Sequence, residues 1–459
     1  MNKEEQELRI KKELVVFAIL AVALFVIQMI IDNTEMVYDS YEYWDLGKEY
    51  DWHSTNLSSG FRGYVLPLIF SLDYKVGNWN GMEFLGFRVL SSVTFALMHT
   101  VLFSGVAFLL SGHKVCLSKY FYICEVVSGL LSFVLFRGLF IYTLSDIYAF
   151  TMLLLAMLLA YINYSHEWKN LVCYLLESFC LGAILYAMYN VRTIYVFTAV
   201  IVAVLTVIMI FNHNRKNLIS SIPAMLLGVL TASVPQIRLN RELLGSFSIK
   251  VPTQGLMLSQ LGWGITSERY DTYIGSGNYL DAKMFYYDKI GQQILQKEGI
   301  QVIESLASLI RLIFKYPLDF VGIYCRHFLN MLYPIYPNQY VEVIDSEKGL
   351  LMFCTYTVLF IAFVYIIKFY RPKLMEAMWL LCLLSPCVFI LPGAMEIRFF
   401  YGFYYVIFMS ATMGFPKALQ YMKEHRLKCA VFYITGFVLY IGYGGQMLSL
   451  ITNGVALIN

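Results

Sequence analysis

Apolar residues form long runs in this chain, and polar residues are gathered between them. The first run covers about 13–31. Others lie near 85–111, 120–137, 147–163, 172–188, 194–211 and 218–237, and more follow residue 349. A helix needs roughly 20 apolar residues to cross a bilayer, so the pattern predicts about ten, at most eleven, transmembrane helices. The expected fold is an all-α integral membrane protein. One stretch is different. Between 306 and 335, Arg311, Lys315, Asp319, Arg326 and His327 recur among apolar residues, which predicts an amphipathic stretch lying in the interface or re-entering, with a crossing of the membrane as the alternative.

Composition strengthens this picture. Of 459 residues, 59% are hydrophobic and 14% are charged, against about 25% charged in soluble domains. Many Trp, Tyr and Phe residues stand at the ends of the runs, where amphipathic rings favour the headgroup layer. The first run is too long for a signal-peptide core and is read as a true span. The nine cysteines lack metal-type spacing and are read as small core residues. No GxxxxGK[ST] loop occurs, which argues against an ATP-driven pump.

Charge sets the expected orientation. Lys3, Arg9, Lys11 and Lys12 precede the first span, and positive residues stay in the cytoplasm. The connections with Lys114, Lys169, Arg215 and Lys216, and later Lys368, Arg371, Lys423 and Arg426, then fall on the same side. Three segments follow from this: 1–237, a transmembrane module with a first outer loop at 32–83; 238–348, a large outer loop with interfacial helices; and 349–459, the C-terminal transmembrane helices. Short outer turns at 137–146, 189–193 and 392–398 complete the outer face, where the working site is expected.

Candidate chemistry lies in those outer pieces. In Asp39-Ser40-Tyr41-Glu42-Tyr43-Trp44-Asp45, helical spacing puts Asp39 and Tyr43 on one face and turns Asp45 away. Partial desolvation would make Asp39 a better base, although such acids also simply end a span. Asp146 opens a helix, as a reactive acid or as an N-cap. Arg398, beside Glu396, can fork onto a phosphate or snorkel. Arg62, Arg137 and Arg192 lie on the same side, where an ion-pair network is the plainer alternative. His53 and His327 have no partner at metal-ligand spacing.

The Asp39-Ser40-Tyr41-Glu42-Tyr43-Trp44 motif just after the first span resembles the acid-bearing motif of GT-C glycosyltransferases. These are multi-pass enzymes that use polyprenyl-phosphate sugars, such as protein mannosyltransferases and aminoarabinose transferases. Asp146, the Lys315-Tyr316-Pro317-Leu318-Asp319-Phe320 stretch and Glu396-Ile397-Arg398-Phe399-Phe400-Tyr401 resemble further parts of that pattern, in order. A departure is Ser40, where the family commonly has a second acid; Glu42 or Asp45 would have to substitute. The resemblance implies a GT-C-like fold, with Asp39 as general base and Asp146 positioning acceptor or donor. Arg398, with Arg192 or Arg62, would hold the donor phosphate, and Glu42, Tyr43, Asp45 and Glu396 would support them. The implied partners are a polyprenyl-phosphate sugar, membrane lipids and a glycan, lipid or protein acceptor, and no nucleic acid. No motif demands a cofactor, and a divalent metal stays open. The expected location is a bacterial inner membrane with the site on its outer face. The alternatives are a polymerase or ligase of lipid-linked polysaccharide and a flippase or transporter.

Overall fold

The computed structural model describes residues 3–31, 36–51, 62–112, 119–165, 171–213, 215–253, 255–273, 283–333, 340–341, 349–454 and 456–458. It is 83% helical. Among the described residues, eight helices are long and apolar enough to cross a membrane: Lys11–Ile31, Leu85–Leu110, Asp146–Tyr164, Leu171–Val191, Tyr195–Asn212, Ile219–Leu244, Gly349–Lys368 and Arg426–Gly444. Tyr120–Phe136 and Leu374–Ile390 are shorter apolar helices. A predominantly helical membrane protein is therefore the right class.

The chain divides into two compact units. One comprises Met1–Leu130, Leu139–Pro252 and Pro372–Pro386; the other comprises Leu131–Gly138, Thr253–Arg371 and Cys387–Asn459.

The first unit is helical throughout. Its elements are α1 (Lys3–Ile31), α2 (Asp39–Glu49), α3 (Val65–Asn80), α4 (Leu85–Met98), α5 (Val101–Leu110), most of α6 (Lys119–Phe136), α7 (Gly138–Ile141), α8 (Asp146–Ser165), α9 (Leu171–Val191), α10 (Tyr195–His213) and α11 (Arg215–Leu244). The 32–83 loop is thus no plain linker, because α2 and α3 fold within it and pack on each other. Trp44 sets that packing, ringed by Phe70, Tyr74, Phe84 and Phe87 at centroid distances of 5.0–6.5 Å. Helices α9 and α11 pack backbone to backbone: a Cβ at Gly182 would strike the Met225 carbonyl, and one at Gly228 the Phe179 carbonyl. Small residues at a crossing allow this approach where water gives no hydrophobic drive.

The second unit adds α12 (Leu256–Thr266), β1 (Ser267–Tyr273), β2 (Lys283–Tyr287), α13 (Lys289–Glu298), α14 (Leu306–Lys315), α15 (Pro317–Leu332), β3 (Tyr340–Val341), α16 (Gly349–Lys368), α17 (Leu374–Ile390, mostly in the first unit), α18 (Tyr401–Glu424), α19 (Arg426–Gly454) and β4 (Ala456–Ile458). The strands form a sheet ordered β3-β1-β2-β4, with β1 antiparallel to β2 and parallel to β3. The apolar runs gave no sign of this sheet.

The 306–335 stretch breaks at Tyr316-Pro317 into helices of 10 and 16 residues, and neither is among those long enough to cross. Pro317 sits in the first turn of α15, where its missing N–H costs nothing, and Ser305 with Ser308 caps α14. Leu309, Leu312, Phe320 and Ile323 on these helices pack with Ile265, Ile294, Leu295 and Ile303 into one core. Leu306, Ile310, Phe314, Leu318 and Val321 remain exposed. The helices are amphipathic, as the spacing predicts.

Candidate functional site

In the first unit the site grows from the start of α2. Tyr38, just before Asp39, has φ +49°, and it is the one non-glycine with positive φ among the described residues. Such strain persists only where the surroundings enforce it, and it concentrates at functional sites. Ser40 enforces it here: its hydroxyl donates to the Val37 carbonyl at 2.5 Å and accepts from the Val37 N–H at 2.9 Å.

This turn presents Asp39 and Glu42 to one cation. Arg62 Nη2 is 2.7 Å from both Asp39 Oδ1 and Glu42 Oε2, and its Nε donates to Glu42 at 3.0 Å. The guanidinium also lies 5.0 Å from the Tyr43 ring centroid, so Asp39 and Tyr43 do share a face. Asp45 takes no part in this cluster. Burial alone would weaken the Arg62 charge, but Tyr43, Asp39 and Glu42 outweigh it and hold the guanidinium firmly protonated.

Arg62 is positioned from below. Gly63 has φ +72° and presses on Asn190, where a side chain would collide. Asn190 Oδ1 accepts from the N–H groups of Tyr64 and Val65, each at 2.9 Å, which satisfies orphan donors at the start of α3. Its amide donates to Gln236, Gln236 to Asn240, and Asn240 to the Ser248 and Lys250 carbonyls. A buried amide ladder on α9 and α11 thereby fixes the entry to α3.

The second acid–arginine pair joins the same region. Arg192 Nη1 is 2.8 Å from Asp146 Oδ1 and donates to Ser145 at 3.1 Å. Thr143, three residues before Asp146, donates to the Ser40 carbonyl at 2.6 Å. Arg192 follows Asn190 by two residues. The two links, Ser40–Thr143 and Gly63–Asn190, bring Asp39, Glu42, Tyr43, Arg62, Asp146 and Arg192 into one neighbourhood. Asp39, for which the sequence suggests partial desolvation, is an ion-paired carboxylate, and Arg62 holds two acids, as the ion-pair alternative would have it.

Asp73, on α3, had no place in the sequence reading. It is buried with one carboxyl oxygen lacking a hydrogen bond, and burial pushes its pKa up to about 8.

In the second unit, Glu396 is buried, accepts from Arg398 Nε at 2.5 Å and from the Tyr270 hydroxyl at 3.0 Å. Arg398 and Glu396 therefore serve each other first. The turn that carries them is tied to α12 and β1 by Ala394 N–H to Gln260 and Tyr270 N–H to Met395. Beneath it, Arg269 forks onto Asp271 at 2.9 Å through two nitrogens, and Tyr286 donates to the same acid. Arg326 joins Asp288 at 2.5 Å and Glu268 at 3.2 Å. His327 sets its ring nitrogens 2.8 Å and 2.9 Å from the Leu391 and Ser267 carbonyls. Burial lowers its pKa.

Among the described residues, no group of three or more His, Cys, Asp or Glu side chains could hold a metal ion. His53, Lys114 and Lys169 lie outside the described residues. No protein-family model, curated protein or solved structure matches the chain.

Proposed function

We propose that the protein is a membrane glycosyltransferase that moves a sugar from a polyprenyl phosphate to an acceptor hydroxyl on the extracytoplasmic face, inverting the anomeric centre. The observation that carries this reading is the gathering of Asp39 and Asp146, each beside an arginine, through the Ser40–Thr143 contact. Asp39 accepts the hydroxyl proton of the acceptor as its oxygen bonds to C1. Arg62, ion-paired to Asp39, holds the carboxylate in place for that step. The C1–O bond breaks with its electrons passing to the departing phosphate, whose growing charge a preplaced guanidinium stabilises. Asp146, oriented by Arg192, positions the acceptor or the sugar. On the strength of the resemblance, Arg192 or Arg62 is assigned to the donor phosphate.

Purified protein would be offered a panel of radiolabelled polyprenyl-phosphate monosaccharides. Turnover of one donor, lost in folded Asp39→Asn, supports the reading; no turnover of any donor by folded protein contradicts it. The transporter alternative has one observation in its favour. Glu125, hydrogen-bonded to Ser104 at 3.3 Å, and His99, set against Phe95, are fully buried in apolar helices, and intramembrane ionisable residues often mark transport paths.

A further inference from the structure

Most arginines in the segments expected to face outward are already neutralised. Arg62 carries Asp39 and Glu42, Arg192 carries Asp146, Arg398 carries Glu396, and Arg326 carries Asp288 and Glu268. Each group is neutral or net negative by these pairs, so an anion can take one of these arginines only by displacing its acid. Arg238, Arg241 and Arg311 are exposed, and water solvates them at little cost.

Arg137 is different. It follows the last residue of α6, is half-buried, and has its Nε enclosed without a hydrogen-bond partner. No carboxylate pairs with it among the described residues. Its backbone is anchored, because the preceding Phe136 sits edge-on to Tyr401 at 5.1 Å and to Tyr404 at 5.2 Å, and Ser132 lies 3.5 Å from the Tyr401 hydroxyl. An enclosed guanidinium N–H without an acceptor is unfavourable unless a ligand supplies one. The acceptor that matches both the charge and the planar fork is an oxyanion with two free oxygens.

We propose that Arg137 binds a phosphate-bearing ligand, one phosphate oxygen accepting from Nε and a second from a terminal N–H. The ligand's identity as a polyprenyl phosphate rests on the transferase reading. The site itself can be tested without turnover.

Binding would be measured on the full chain in detergent by microscale thermophoresis, with polyprenyl phosphate, phosphatidylglycerol micelles and inorganic phosphate as separate probes. Arg137→Gln should weaken at least one of these about tenfold or more, and should reduce the salt dependence of that binding. Arg137→Lys, which keeps charge but loses the fork, should fall between. Dependence on Arg137 confined to polyprenyl phosphate assigns the site to the donor lipid. Dependence shared with phosphatidylglycerol assigns it to bulk headgroups, and dependence confined to inorganic phosphate assigns it to a free anion. Unchanged affinity for all three probes, with both variants monodisperse and melting like the parent, overturns the proposal. Arg137-dependent binding without any sugar transfer would leave this site standing while removing the transferase reading.

Discussion

Each unit of this protein places arginines on acids, but under different conditions. In the first unit, Arg62 is 18% exposed and its partners Asp39 and Glu42 are 34% and 41% exposed. In the second, Arg269 and Asp271 are both 0% exposed. A pair that water reaches can exchange a partner for a ligand, whereas a pair sealed from water cannot open without leaving a charge unsolvated. The difference separates a cluster available for chemistry from one that holds a sheet in place. Strain agrees with this division, since Tyr38 adjoins the open cluster.

Substitutions can sharpen or break the contrast. The largest effect is expected in the sealed pair. Asp271→Asn leaves Arg269 charged and buried, and should cost about 3–5 kcal/mol, read as a large drop in melting temperature; a loss below 1 kcal/mol would undo the structural assignment. Next is Asp73→Asn. The Asp73 pKa is raised from 3.8 to about 8, so between those values the folded state holds a proton that the unfolded chain has released. Its contribution to stability is therefore lost as pH rises. From pH 5 to 7 the parent should lose on the order of 3 kcal/mol from this group, and Asp73→Asn should flatten that slope in melting curves.

A smaller change is expected at Asn190. Asn190→Ala removes the acceptor for two N–H groups at the start of α3 and should cost about 1–2 kcal/mol. It should also lower turnover by letting Arg62 drift; a normal rate would detach the amide ladder from the site. Asp39→Asn should change stability least, by about 1 kcal/mol or less. His327 gives a pH signature of opposite sign to Asp73. Its pKa is lowered by burial from 6.5, so its contribution is present above that value and is lost as pH falls below it. His327→Gln should lessen that acid sensitivity in melting curves.

The spans and the amphipathic 306–335 stretch were legible because long apolar runs and charged periodicity are local signals. The shared face of Asp39 and Tyr43 followed from helical spacing alone. The arginine on that face was not legible, because it arrives from 20 residues away, guided by Asn190 on a distant helix. Ser267-Glu268-Arg269-Tyr270-Asp271-Thr272-Tyr273 carries a strand signal, Arg269 and Asp271 alternating onto one face, but the signal is short and its pairing partner, Lys283–Tyr287, lies further along the chain. Asp73 was hidden by the same logic: an acid in a short apolar helix looks like a surface residue until packing buries it. The Glu396–Arg398 pair fits the plainer alternative of an ion-pair network as well as a ligand site.

The most direct test is a paired measurement on Asp39→Asn and Asp271→Asn, with turnover of the active polyprenyl-phosphate donor and melting temperature recorded on the same preparations. Asp39→Asn should melt within about 2 °C of the parent, as a change of about 1 kcal/mol or less would in a chain this size. It should also lose at least about a hundredfold in rate. Asp271→Asn should melt far earlier and keep its rate while it remains folded. A stable, fully active Asp39→Asn would contradict the account.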